Sequence, residues 1–408
     1  MIAVAQIGAR MHYAVPRIFS DAGLLSTFYT EIIVPKPLAR AWERMPNFLN
    51  RGALRRLAAR QIAAIPPYQI ESMPRFGLEY WMRLRRARNR SDETSAYLWG
   101  GRKFCRLVLQ RGLGSSNAIY TFNSAGLELL RFAREEGIFA ISEQTIAPKA
   151  VEQRLLEEEF ALWPNWGDGY KFDSYALEYA NRERDEWNTA DMVVCGSEFV
   201  AEGIRECAGR DVATQVVPYG IDPSPMPELP AARGRALRVL FCGTVGLRKG
   251  VQYLLQATAR LKSARYEVRV VGPVHLGSAA LGDLRSAIEV VGGIPRSEIW
   301  RHYAWADVFV LPSLCEGSAT VCYEALASGL PVITTPNAGS VVRDGIEGFI
   351  VPIRDADAIA ARLQSLIADP RLLDELSRNA RLRAAEFTVA KYGERLLSTV
   401  ENGLLNHC

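Results

Sequence analysis

No stretch of this sequence approaches the ~18–20 consecutive apolar residues that a membrane-spanning helix needs. Histidine is scarce: His12, His275, His302 and His407 stand far apart and offer no zinc spacing with cysteine. The seven cysteines include no C-x-x-C pair, and Cys315 and Cys322 are the closest two. They read as reduced thiols serving as small hydrophobes in a cytoplasmic protein. The opening MIAVAQIGARMHY lacks a basic leader and a cleavage site, so no signal peptide is expected. A net charge of +4 over 408 residues does not call for a nucleic-acid partner. With 49% hydrophobic and 23% charged residues, the chain is neither disordered nor collagen-like nor a coiled coil, and its length suggests two domains.

Short apolar runs recur instead. IAVAQI (2–7), EIIV (31–34), AIYTF (118–122), IFAIS (138–142), DMVVC (191–195) and QVV (215–217) have the length and β-branched content of buried strands. Amphipathic stretches separate several of them, such as AGLELLRFAREEG (125–137) with Gly137 as its stop. Strands alternating with helices predict a parallel sheet covered on both faces. Five prolines in PYGIDPSPMPELP (218–230) exclude helix and central strand there and mark a linker. Alternation then resumes with LRVLFC (237–242), a helix over 251–261, and strands YEVRVVG (266–272), DVFVLP (307–312), PVITT (331–335) and GFIVP (348–352). The expected organisation is a first domain over 1–217, the linker over 218–230, a second domain over 231–387, and a last amphipathic helix within 388–408 packing back on the first domain. Two such sheets would face each other across a cleft.

One segment is strongly basic. Between Leu38 and Arg111 there are 16 Lys+Arg against 5 Asp+Glu, about +11, so the remainder carries about −7. LRRLAARQIAAI (54–65) and YWMRLRRARNR (80–90) mix arginine with leucine, isoleucine and tryptophan. This composition suits an anionic membrane surface, although a solvated helix face or a basic cleft wall has the same composition.

The strongest chemical signal is LPSLCEGSATVCYEALASGLPVI (311–333). Glu316 and Glu324 stand eight apart around GSATV (317–321), small residues that open a helix. A helix start presents free N–H groups and a positive dipole end, which favour phosphate. A carboxylate can accept from two vicinal ribose hydroxyls at once. The second signal is FCGTVGLRKG (241–250), between a strand and a helix. Gly243 and Gly246 permit a tight loop, and Lys249 then projects as a point charge for a diphosphate, with Arg248 as a second cation. This is neither G-x-x-x-x-G-K-[ST] nor G-x-G-x-x-G, which disfavours a P-loop NTPase and a dinucleotide dehydrogenase.

Together with ADMVVCGSEFVAEGI, VVPYGID, IPRSEIWRHYAWADVFVLPS and DGIEGFIVP, these stretches resemble, over about residues 190–390, the retaining glycosyltransferases of family 4 (glycosyl transferases group 1). The resemblance implies the GT-B fold, an α/β architecture of two Rossmann-like, doubly wound parallel-sheet domains facing across a cleft. It implies a nucleotide-diphosphate sugar as donor and a carbohydrate or lipid-linked acceptor, with no cofactor and no metal. On this likeness Glu316 holds the donor sugar, Glu324 the ribose and Lys249 the phosphates. Gly243 and Thr244 belong to the phosphate loop, Gly317, Ser318, Ala319, Thr320 and Val321 face phosphate and sugar, and Ile294 meets the nucleobase. The implied setting is polysaccharide or glycolipid assembly in the cytoplasm, peripheral to the inner face of the membrane.

The chain departs from the pattern in three places. Thr244 stands where an arginine is usual, which leaves Arg248 as the substitute. A single Gly8 replaces a paired glycine, and Glu143 or Gln144 falls where many members have a histidine. Gly8, His12, Asn123 and Glu143 are therefore the candidates on the acceptor side. Asp355-x-Asp357 resembles a metal-binding pair, but its place before an amphipathic helix predicts a cap. Two other functions fit the same residues: a non-catalytic nucleotide-sugar-binding or scaffold protein, and a nucleotide-sugar epimerase.

Overall fold

The computed structural model describes residues 1–33, 65–167, 173–222, 236–261 and 265–407. The first sheet contains β1 (Ile2–Gln6), β2 (Leu25–Thr30), β3 (Ile70–Ser72), β4 (Ala118–Phe122), β5 (Phe139–Gln144), β6 (Met192–Cys195) and β7 (Thr214–Val216). All its pairings are parallel, in the order β3-β2-β1-β4-β5-β6-β7. The second sheet contains β8 (Leu237–Cys242), β9 (Tyr266–Val271), β10 (Glu289–Gly292), β11 (Val308–Leu311), β12 (Val332–Thr334) and β13 (Gly348–Ile350). It is also all-parallel, in the order β10-β9-β8-β11-β12-β13. Ile2, Val4, Ile119, Ile141 and Val193 are fully covered in one sheet, and Val239, Leu240, Val310 and Ile333 in the other. This follows from helices lying on both faces of a parallel sheet.

The strand expected at 31–34 is corrected. The chain is extended over Leu25–Thr30 instead, and residues 31–33 leave the sheet. Thr27, Phe28, Tyr29 and Thr30 carry the β-branched and aromatic side chains there. Buried Glu31 then turns back to accept from the Gly8 amide at 2.9 Å and from the Thr30 hydroxyl at 3.0 Å. The strands β3 and β10 were not evident in the sequence. Most of the basic segment, residues 38–64 with LRRLAARQIAAI up to Ala64, lies outside the described residues, as does the linker from Pro223 onward.

In each sheet the chain winds outward from one strand and then returns to the other side of it. The winding reverses between β1 and β4 in the first sheet, and between β8 and β11 in the second. Loops at the carboxyl ends of strands diverge at such a point and leave a crevice. The two crevices face each other. The carbonyl oxygen of Thr145, just after β5, abuts Gly317 so closely that a Cβ at Gly317 would overlap it. Ser197 donates to the Gly317 carbonyl across the same junction.

Two further contacts fix the domains. The helix Lys149–Leu162 of the first domain sets Glu159 against the second, where the buried carboxylate accepts from Gln252 Nε2 (2.7 Å), the Tyr253 hydroxyl (2.6 Å) and Arg354 Nε (2.8 Å). At the chain crossovers, the Ile221 amide donates to Phe387 O (3.0 Å) and Arg395 to Pro218 O (3.0 Å). The last helix, Val389–His407, lies against the first domain: Gly393 faces Ile18, and His407 meets Phe139 with ring centroids 4.9 Å apart.

Candidate active site

The loop after β8 is shaped by glycine. Gly243 has φ 139° and Gly250 has φ 74°, and a Cβ at Gly250 would overlap the Pro312 carbonyl oxygen. Only glycine tolerates both the left-handed backbone and that approach. The result places the 3-10 turn Leu247–Lys249 beside the loop after β11. Lys249 Nζ then meets Glu316 Oε1 at 2.8 Å, and Arg248 Nη1 meets the same oxygen at 2.8 Å. Arg248 also donates to Cys315 O (2.8 Å), and its Nε lies 4.0 Å from Glu152 of the first domain. Burial opposes the Arg248 charge, yet Glu316 and Glu152 outweigh it and raise its pKa.

Glu324 lies in the helix Thr320–Ala327, 2% exposed, with its two oxygens divided between Arg296 (2.7 Å) and the Tyr303 hydroxyl (2.9 Å). Cys322, two residues earlier, has a thiol that burial pushes up to about 12, with Lys249, Glu316 and Glu324 among its charged neighbours. Burial likewise raises Cys315, so neither cysteine is a ready nucleophile. Glu316 and Ala319 give their amides to the carbonyls of Asn337 and Ala338, whereas the Gly317 and Ser318 amides have no partner among the described residues. The Ser318 hydroxyl is engaged by Tyr323 (2.8 Å) and Gly339 O (3.0 Å). Thr244 and Ile294 are half-buried in the loops after β8 and β10.

A cavity of about 550 Å³ opens between the domains, lined by Met11, His12 and Arg17 on one side and by Arg296, Thr320 and Glu324 on the other. Met11, His12 and Tyr13 are three consecutive non-glycine residues in the left-handed region, at φ 45°, 52° and 59°. Each costs on the order of 1 kcal/mol, strain of the kind that collects at functional sites. The turn delivers His12 to the cavity wall, where partial burial, then Arg296 and Arg17, lower its pKa.

Three of the expected acceptor-side residues are corrected. Gly8 has its amide on Glu31 (2.9 Å) and its carbonyl on Gln6 Nε2 (2.7 Å), so its backbone is already occupied. Asn123 is 1% exposed and accepts from Thr145 Oγ1 (2.8 Å) and Arg10 Nη1 (3.2 Å). Glu143 points into the core, accepting from Tyr120 (2.7 Å) and Tyr219 (2.9 Å), because alternation along β5 turns it toward β4 and the crossover. Burial raises its pKa. Only His12 of this set reaches the cavity. The Arg248 guanidinium is engaged by Glu316 and Cys315 O, and, like Glu316 and Lys249, it is not among the residues lining the cavity. Sequence reasoning missed Arg17, Arg296, Trp300 and Tyr303. Arg296 and Tyr303 belong to IPRSEIWRHYAWADVFVLPS, which was singled out as a block and not residue by residue.

No group of three or more His, Cys, Asp or Glu able to hold a metal occurs among the described residues. Asp355 caps the helix Ala356–Ala368 by accepting from the Ala358 amide (2.8 Å), and Asp357 pairs with Arg260. No described helix is long and apolar enough to cross a membrane.

Residues 236–369 match the family described as Glycosyl transferases group 1. The GDP-mannose-dependent alpha-(1-6)-phosphatidylinositol monomannoside mannosyltransferase of Mycolicibacterium smegmatis is 31% identical over 209 residues, 45% of this chain and 55% of that protein. The amylovoran biosynthesis glycosyltransferase AmsK of Erwinia amylovora is 32% identical over 167 residues, 37% of this chain and 41% of that protein. The chain thus spans about half the length of the curated relatives it matches. Among solved structures, sucrose-phosphate synthase from Thermosynechococcus elongatus superposes with a TM-score of 0.66 at 18% identity, over 100% of this chain and 99% of that one. At that identity the likeness concerns the fold.

Proposed function

We propose that this chain, whose residues 236–369 match the family described as Glycosyl transferases group 1, moves a sugar from a nucleotide-diphosphate sugar to an acceptor hydroxyl, with retention and without a metal. The observation that carries this is the pairing of Glu316 with Lys249 between the loops after β11 and β8, next to the short helix that sets Glu324 on the cavity wall. Glu324 binds the ribose hydroxyls, which replace Arg296 and Tyr303 on its oxygens. Glu316 holds the sugar hydroxyls and is itself held by Arg248. Lys249 and the Gly317 and Ser318 amides meet the leaving phosphate. As the bond from the anomeric carbon to phosphate oxygen breaks, its electron pair stays on the phosphate. The acceptor oxygen bonds to the sugar on the same face, and its proton passes to the departing phosphate oxygen. Preorganised donors aimed at the charge that develops there are worth about 10²–10³ in rate each.

Glu316→Ala and Lys249→Ala should each lower transfer at least about tenfold with the fold retained, in assays run with a chelator present. Full activity in both folded variants ends the assignment. Donor binding without transfer across a broad acceptor panel would favour a scaffold, and sugar isomerisation without acceptor an epimerase.

The names of the relatives support an acceptor in polysaccharide or glycolipid assembly. A cytoplasmic site on the inner membrane face suits that acceptor. The helix Pro74–Arg86 supports an anionic bilayer as partner: it exposes Leu78 (54%) and Met82 (37%) beside Arg75, Arg85 and Arg86. Anionic vesicles should pull the protein down at low salt and lose it at high salt, and absence of binding at low salt eliminates this partner.

A further inference from the structure

A diphosphate leaving group gains a negative charge as the sugar departs, and the loop Gly243–Gly250 offers it little uncommitted positive charge. Lys249 and Arg248 share one Glu316 oxygen, Arg248 is tied to Cys315 O as well, and Thr244 is neutral. The arginines that line the cavity are Arg17 and Arg296, one from each domain. Arg17 projects from the helix Ala14–Asp21 and makes no ion pair with a carboxylate among the described residues. Arg296 is 64% exposed and paired with Glu324. His12 stands in the field of both guanidinium groups. The acidic groups facing the same space are Glu324 and Asp222.

We propose that Arg17 and Arg296 close on the donor's diphosphate from opposite walls of the cleft and supply the charge that the loop after β8 lacks. The inference rests on the glycosyltransferase reading and adds the first domain to donor recognition. The two arginines engage in sequence. Arg17 is available at once. Arg296 is released only when ribose hydroxyls take over Glu324, so the second cation arrives with the correctly seated nucleotide. In the transition state the bond from the anomeric carbon to phosphate oxygen breaks, the electron pair remains on the diphosphate, and the two guanidinium groups meet that added charge. Bidentate guanidinium geometry suits phosphate oxygens, so lysine should serve less well.

The test uses the full chain and its Arg17→Gln and Arg17→Lys variants, titrated calorimetrically with UDP and GDP and with the matching monophosphates UMP and GMP. For the base that binds, Arg17→Gln should weaken the diphosphate about tenfold or more and leave the monophosphate within about twofold, with Arg17→Lys between. Unchanged monophosphate affinity also certifies the fold. Adding Thr244→Arg to Arg17→Gln should restore part of the lost affinity by returning a cation to the loop. Equal losses for diphosphate and monophosphate, or no loss for either, overturn the proposal. If no nucleotide binds the parent chain, the glycosyltransferase reading itself has failed, which is a different result.

Discussion

The two walls of the cleft use charge in opposite ways. On the second-domain wall, Glu324 lines the cavity and holds Arg296, and Glu316, in the loop before the helix Thr320–Ala327, holds Lys249 and Arg248, all by direct ion pairs. On the first-domain wall the carboxylates are sealed behind the surface. Glu186 accepts from the amides of Ser124 (2.7 Å), Gly126 (2.9 Å) and Leu127 (3.0 Å), and Glu183 from the Lys149 amide and Gln144 Nε2, both at 2.7 Å. A buried carboxylate that receives several N–H groups holds loops in place. An ion pair at a cavity can exchange its partner for a substrate group. One wall is thus built to trade contacts with a ligand, and the other to keep the loops after β4 and β5 still.

The largest effect that would break this contrast concerns the sealed carboxylates. Burial, the leading cause, lifts Glu183 from an ordinary 4.5 to about 7, and Glu186 to about 7. A carboxyl group with a raised native pKa contributes stability that is fully present below about 4.5 and is lost as pH rises through about 7. For Glu183 the loss is on the order of 3 kcal/mol at most. Glu128, held down at about 2 by Arg182 against the opposing effect of burial, acts in the other window, losing its contribution as pH falls below 4.5. Urea unfolding should therefore show stability falling between pH 5 and pH 7.5, and Glu183→Gln should flatten that slope. An unchanged slope in the variant would mean that Glu183 is ionised throughout and that the contrast between the walls is one of position alone.

The same contrast explains what the sequence could and could not disclose. FCGTVGLRKG and the pair Glu316 and Glu324 were readable because tight glycine turns and a helix start place them with local geometry alone. Glu143 was misplaced because its direction depends on which face of β5 meets Tyr120 and Tyr219, and Tyr219 is 76 residues away. Arg248 looked like a free cation because Glu152, nearly a hundred residues earlier, gives no local sign of its proximity. Arg17 belongs to no motif and lies on a helix of eight residues, Ala14–Asp21; only the facing of two crevices makes it part of a cavity. The strand at Leu25–Thr30 was displaced in the reading because EIIV is the more apolar run, yet Glu31 is needed off the sheet to bind the Gly8 amide.

The smallest expected effect sharpens the comparison from outside the cleft. Asp355 and Asp357 belong to the second domain but are used as the first domain uses its acids. Asp355 accepts from the Ala358 amide at 2.8 Å to start the helix Ala356–Ala368, and Asp357 is neutralised by Arg260. A capping aspartate replaced by alanine costs about 1 kcal/mol, because one amide of the first turn loses its acceptor. Asp355→Ala should therefore lower the unfolding midpoint modestly while transfer stays within about twofold of the parent, with or without a chelator. If the acid instead held a divalent ion for the reaction, the variant would lose transfer with its stability intact, and added Mg²⁺ or Mn²⁺ would raise the rate of the parent alone. The ratio of lost stability to lost rate in this one variant thus separates an acid that shapes the chain from an acid that meets a ligand.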